Sequence, residues 1–246
     1  MGAGARPRNA HRFGYAFWPD AAVVRNPTTL QIIGNEQLFH PDGTHTPLPG
    51  VFVATLALPS LRRQSFVELP AMVGATAGIG DTLTAGGYTY IYVAPTQGVV
   101  DVARVSGTDL TSLWSYWTGS GWSAGVSHAA AAAHLGFLSH FSVSPVNGMY
   151  PFVARSQVGS SEIVGALGCS PIGPSETTRN VYATPEQAEY PAADGIVTYG
   201  AHGHPGLSSS PNTLVVSHDV NFGSLHGLTN PDASVYRPRF ITLTVG

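Results

Sequence analysis

The residues best equipped for chemistry gather in the last third of this 246-residue chain. Tyr199-Gly-Ala-His202-Gly-His204-Pro205 precedes a short strand, and Tyr236-Arg237-Pro238-Arg239-Phe240 opens the final one. His202 and His204 lie two apart, so on a strand they point to the same face. That pair suits either a metal or the hydroxyls of a sugar, but His218 and Asp219 make no convincing third ligand, and no metal or other cofactor is expected. One of the two histidines, the one beneath Pro205, also fits a plain structural role. Proline is tolerated at a strand entry, and the flanking Arg237 and Arg239 then project on one face. There they meet a substrate or a buried carboxylate, and Arg239 is the candidate for holding an acid ionised.

Two acids stand where strands begin: Asp20 in Phe17-Trp18-Pro19-Asp20 and Glu162 in Ser160-Ser161-Glu162-Ile163. Brought to one pocket from separate parts of the chain, they are the acid/base pair that glycoside hydrolysis requires. Asp20 alone reads equally well as a turn cap. Trp18 and Tyr236 lie beside the acid and the arginines and join the candidate substrate-binding set. Trp117, within the aromatic stretch Trp114–Trp122, suits stacking on sugar rings or packing in a core.

The elements that must hold these groups are strands. Ala21–Val24 and Leu30–Ile33 flank the turn Asn26-Pro27-Thr28. Val51–Leu58, Gly87–Val93, Val99–Val105, Phe141–Val143, Met149–Ala154, Ile163–Leu167, Ile196–Tyr199, Thr213–Ser217 and Phe240–Val245 continue the pattern. Short apolar or alternating runs between Gly, Pro and Asn turns predict an all-β sandwich, barrel or propeller. A loose repeat, with units ending at Leu58-Pro59, Ser144-Pro145 and Ser170-Pro171, favours a β-propeller with blades about 40–50 residues apart. That spacing makes four blades plus a fragment over residues 13–246, after an N-terminal arm of residues 1–12. Helix is predicted only as one turn capped by Thr108 and, as helix or loop, in the alanine-rich run Ser127–Leu135.

Composition narrows the partners. A net charge of −3 makes no electrostatic case for nucleic acid or an anionic membrane. With only 10% charged residues, a cluster of ionisable groups is more often a site than solvated decoration. No run reaches the roughly 18 apolar residues of a membrane span. Cys169 is the single cysteine, which excludes an internal disulfide and predicts a small buried thiol. Met1 to Arg12 has no apolar stretch and does not read as a secretory signal.

Taken in order, Phe17-Trp-Pro-Asp20, Phe52-Val-Ala-Thr-Leu-Ala-Leu-Pro59, Gly87-Tyr-Thr-Tyr-Ile-Tyr92, Val102-Ala-Arg-Val105, Tyr116-Trp-Thr-Gly-Ser-Gly-Trp122, Ser142-Val-Ser-Pro-Val146, Ala201-His-Gly-His-Pro205 and Tyr236-Arg-Pro-Arg-Phe240 resemble the bacterial propeller family catalogued as domain of unknown function 4185. Some of its members are endo-D-arabinanases of glycoside hydrolase family 183. The resemblance implies a five-bladed propeller with a carbohydrate funnel on its axis, acting on an arabinan-type furanoside polysaccharide of the actinobacterial envelope. Members of that family begin with a further blade whose Asp-Gly and Phe-Gly-Asp-Thr segments do not occur here. The alternative is a non-catalytic carbohydrate-binding or structural module, such as a phage tail protein. Either reading places the protein outside the cell or on a virion, with a polysaccharide as partner and other subunits as candidates to complete the ring.

Overall fold

Asn26 starts the first hairpin: its Oδ1 accepts hydrogen bonds from the Thr28 N–H and hydroxyl at 3.0 and 2.9 Å, closing an Asx turn that Pro27 pre-shapes. β1 (Tyr15–Asn26) thereby folds back on β2 (Thr29–Phe39), and β4 (Phe52–Ala57) and β5 (Arg62–Glu68) extend the sheet, with β3 (His45–Pro47) also on β2. The second sheet holds β6 (Gly78–Ala85), β7 (Tyr88–Ala94), β8 (Val99–Ser106), β9 (Ser115–Trp117) and β10 (Trp122–Ser123), with β11 (Ala133–His134) on β8. Gly86 and Gly87 join β6 to β7 with φ of +59° and +81°, the two left-handed residues of a tight hairpin turn. The third sheet is β12 (Phe141–Val143), β13 (Tyr150–Arg155), β14 (Glu162–Gly168) and β15 (Arg179–Ala183). A four-residue helix, α1 (Glu186–Glu189), leads to the fourth sheet of β16 (Ile196–His204), β17 (Thr213–Phe222) and β18 (Arg239–Thr244). This computed structural model describes residues 14–41, 44–69, 78–95, 98–125, 133–134, 141–157, 160–173, 178–190, 195–223 and 234–246.

The four antiparallel sheets are the blades of a β-propeller, and β1, β6, β12 and β16 are the first strands of successive blades, each packed on the next. Apolar seams hold the blades together. Ile33, Val53, Ile91, Val93 and Trp114 fill the first, and Tyr92, Phe141 and Phe152 the second. Val153, Ile163, Leu214 and Val216 fill the third. In the second seam the Tyr92 and Phe152 rings meet edge to face at 5.5 Å, a favoured aromatic geometry. Gly80 is required there, because a Cβ would run into the Phe141 ring.

A repeated hydrogen bond ties the inner strands together. The Ile79 N–H donates to Asp20, Val143 N–H to Asp81 Oδ2 at 2.8 Å, and Gly203 N–H to Ser142 Oγ at 2.6 Å. Each side chain thus holds the backbone of the following blade. Asp20, Asp81, Ser142 and Gly203 are spaced sixty-one residues apart, so the blade period is longer than the 40–50 residues expected. The excess goes into long loops and, in blade 2, extra outer strands. The turn expected at Thr108 is not helical: Asp109 Oδ1 accepts from the N–H and hydroxyl of Thr111, an alternative to helix that short acids offer. Cys169 is exposed, not buried, because it stands at the end of β14 where the chain turns out of the sheet. Residues 1–12 and most of the alanine run lie outside the described residues.

Candidate functional site

β-Bulges interrupt the inner strands where the acids stand. β1 shifts register between Pro19 and Ala21, β6 between Ile79 and Asp81, and β16 between Tyr199 and Ala201. A bulge adds an unpaired residue and re-aims a side chain, which is why bulges concentrate near active sites. In β1 the extra residue is Asp20 itself. Gly34 opposite has no room for a Cβ against the Trp18 carbonyl, so the bulge depends on that glycine.

Asp20 keeps one carboxylate oxygen on the Ile79 N–H, while Oδ2 is buried and has no hydrogen-bond partner. Burial pushes its carboxyl up to about 7, against the lowering pull of the Ile79 hydrogen bond. Asp81 is likewise raised to about 7 by burial, but both its oxygens are committed. Oδ1 accepts from Thr82 N–H at 2.7 Å and Oδ2 from Val143 N–H. An acid with an uncommitted buried oxygen and a pKa near neutrality is what proton transfer at neutral pH requires. Trp18, two residues before Asp20, is 40% exposed and lies parallel to Phe39 at 6.4 Å, with His45 tilted beside both.

The other sequence-derived residues divide among three places. Tyr236 and Arg237 line a pocket of about 240 Å³ with Tyr199, Asp219, Val220 and Pro238. His202 and His204 lie on β16, and His204 Nε2 is 2.8 Å from Ser217 Oγ and its ring 6.0 Å from Phe240. Arg239 reaches a buried acid that sequence reasoning did not select: its Nε is 3.6 Å from Glu186 Oε1. His218 Nε2 lies 3.3 Å from both oxygens of that carboxylate. Burial lowers the His218 pKa despite Glu186, so Nε2–H donates and the buried Nδ1 is left without a partner. Arg155 joins from β13 through Thr184 and Thr198, which makes the cluster a polar clamp between blades 3 and 4.

Glu162 and Trp117 stand apart from the inner strands. Glu162 is exposed at the start of β14, the third strand of its blade. Trp117, on β9, meets Trp122 edge-on at 5.5 Å, and the Arg104 guanidinium stacks 3.9 Å from the Trp122 ring. Among the described residues no three His, Cys, Asp or Glu side chains converge as metal ligands. No described helix is long and apolar enough to cross a membrane.

Residues 6–244 match the family described as a domain of unknown function, DUF5005. The chain belongs to that family. The motif resemblance was to family 4185, a different assignment within propeller proteins. No curated protein matches the DUF5005 chain. The crystal structure of a candidate hydrolase from Bacteroides ovatus ATCC 8483 superposes with a TM-score of 0.71 at 20% identity, over 92% of this chain and 60% of that one. A protein of unknown function from Dyadobacter fermentans DSM 18053 gives 0.50 at 12% identity, over 90% and 63%. The chain therefore spans about three fifths of the length of each. Similarity also extends to an α-L-arabinofuranosidase from Podospora anserina, at 11% identity over 97% of this chain and 93% of that one, but its TM-score of 0.45 is too low to bear on function. At such identities the superpositions establish a shared fold.

Sequence reasoning missed Asp81 and Glu186, and weighed His218 only as a metal ligand. Asp81 carried a usable signal, its sixty-one-residue distance from Asp20 matching that from Asp81 to Ser142. The pairing of Glu186 with His218 carried none, since it joins a linker helix to a strand 32 residues on.

Proposed function

We propose that this DUF5005 propeller is a carbohydrate-active protein of the glycoside hydrolase type, with Asp20 as its proton-transferring carboxyl. The observation that carries the reading is the buried, unpartnered Oδ2 of Asp20 at the bulge of the first inner strand, in a carboxyl raised to about 7. Glycoside hydrolysis uses a second carboxylate. Asp81 is the acid on the neighbouring inner strand. Glu162 belongs to the outer part of blade 3. Trp18 offers an exposed ring face beside the acid, and His202, His204, Tyr236 and Arg237 supply hydrogen-bonding groups on blade 4. The finer assignment is an arabinan-type furanoside polysaccharide of a bacterial envelope, met outside the cell, and the motif series supports it.

Incubation with arabinogalactan, lipoarabinomannan and linear arabinan, followed by chromatography of released oligosaccharides, tests the reading. Product from the parent protein and none from folded Asp20→Asn is the expected result. Absence of product at every pH between 4 and 9 rejects catalysis. A second reading, a non-catalytic carbohydrate-binding module such as a virion component, draws on Asp81: an acid at the repeat position serves there purely as a backbone acceptor. Retained polysaccharide binding without product is its signature.

A further inference from the structure

The pocket on blade 4 is built from a bulge, as the Asp20 site is, but its chemistry is different. Gly200, with φ of +55°, is the extra residue of β16. A Cβ there would stand 2.9 Å from Asp219 Oδ2 and 3.4 Å from His202 Nε2, so the glycine is what lets the carboxylate lie against the strand. Tyr199 pairs directly across from Asp219 in the sheet, and its phenol hydrogen-bonds the side chains of Asn221 and Tyr236. Arg237 and Pro238 complete the rim. We propose that Tyr199, Asp219, Tyr236 and Arg237 form a subsite that grips one sugar unit of a polysaccharide by its hydroxyls, on a different blade from Asp20.

Size and donor pattern both select that ligand. The pocket's roughly 240 Å³ falls below the 300–1,000 Å³ or so of sites for larger organic ligands, leaving room for one ring. Asp219 accepts from neighbouring hydroxyls, while Arg237 and the phenols donate to ring and hydroxyl oxygens. Burial raises the Asp219 carboxyl, and burial followed by the Asp219 charge raises the Tyr199 phenol. The Tyr199 phenol therefore stays protonated as a donor over the working range. Tyr199 is 36% and Tyr236 66% exposed, so both rings remain accessible to an incoming sugar.

This inference rests on the carbohydrate reading, and the test separates the two. Asp20→Asn protein is titrated calorimetrically with an arabinofuranosyl tetrasaccharide and with xylotetraose. Binding of either sugar that weakens at least about tenfold in Asp20→Asn/Asp219→Asn and in Asp20→Asn/Tyr236→Ala is the expected result, the loss anticipated for one or more buried hydrogen bonds to a ligand. Tyr236 is exposed, so the second variant guards against loss through misfolding. Equal affinity in all three proteins overturns the subsite and leaves the carbohydrate reading standing. Failure of Asp20→Asn to bind either sugar overturns both.

Discussion

Asp20 and Asp81 occupy equivalent positions on adjacent inner strands, and each takes a hydrogen bond from the backbone of the following blade. Burial raises both to about 7. They differ by one oxygen. Asp81 spends its second oxygen on the Thr82 N–H, whereas the second oxygen of Asp20 has no partner. The difference teaches that a carboxylate can serve as a blade fastener and that chemistry needs something beyond the fastener. In Asp20 the bulge supplies it, turning the residue out of the ladder so that only one oxygen is consumed.

The sharpest way to break this comparison is to replace each acid by its amide. Asp20→Asn should lower kcat on the productive polysaccharide by about 10²–10⁴-fold, the range for a general acid or base, with circular dichroism unchanged. A variant as active as the parent would reduce Asp20 to a second fastener. Stability should then separate the two variants. An acid raised from 3.8 to about 7 is protonated in the folded chain over a range where the unfolded chain has already ionised. The folded state therefore has its full stability below about pH 4, loses it as pH rises to about 7, and is level above that. The cost at pH 8 is at most about 4 kcal/mol for three pKa units. Asp20→Asn removes that slope, keeps an oxygen for Ile79 N–H, and should raise the melting temperature at pH 8. Asp81→Asn removes the same slope, since Asp81 is raised as far, but it confronts a backbone donor with an amide donor and should be less stable than Asp20→Asn by about 1–3 kcal/mol at either pH. Melting curves for both variants at pH 5 and pH 8 decide the matter, and equal shifts in the two would contradict it.

Smaller effects sharpen the same contrast. Ser142→Ala deprives Gly203 N–H of its acceptor and should cost about 1–2 kcal/mol in urea unfolding while leaving kcat alone. Glu162→Gln, at an exposed position on an outer strand, should change stability by less than about 0.5 kcal/mol and leave kcat unaltered. A large loss of kcat in Glu162→Gln would restore the pairing of Asp20 with Glu162 expected from their strand-entry positions.

Much of the scaffold was legible in the residues. Tyr88–Ala94 and Val99–Ser106 were visible as β-branched and aromatic runs between glycine turns, and observed strands such as Phe52–Ala57 fall within a residue or two of the runs that announced them. The buried rings of Trp114 and Tyr116 followed the core-packing reading of their aromatic stretch. The candidate site was half legible. Asp20 stood out because acids are scarce, but its bulge is a matter of register with Gly34 that no local pattern announces.

The sequence by itself determined an all-β chain of short strands, since alternation and turn chemistry act between residues a few positions apart. It also limited the acids and bases so severely that any site had to draw on a handful of them. Only the tertiary structure decided which of these meet. Inner strands sixty-one residues apart become neighbours through blade packing, burial then lifts the carboxyls of Asp20 and Asp81, and the bulge falls on Asp20 itself in β1 but on Gly80 in β6, leaving only Asp20 with an oxygen to spare. Those effects depend on desolvation and on hydrogen bonds between distant backbones, which exist only once the blades have closed on one another.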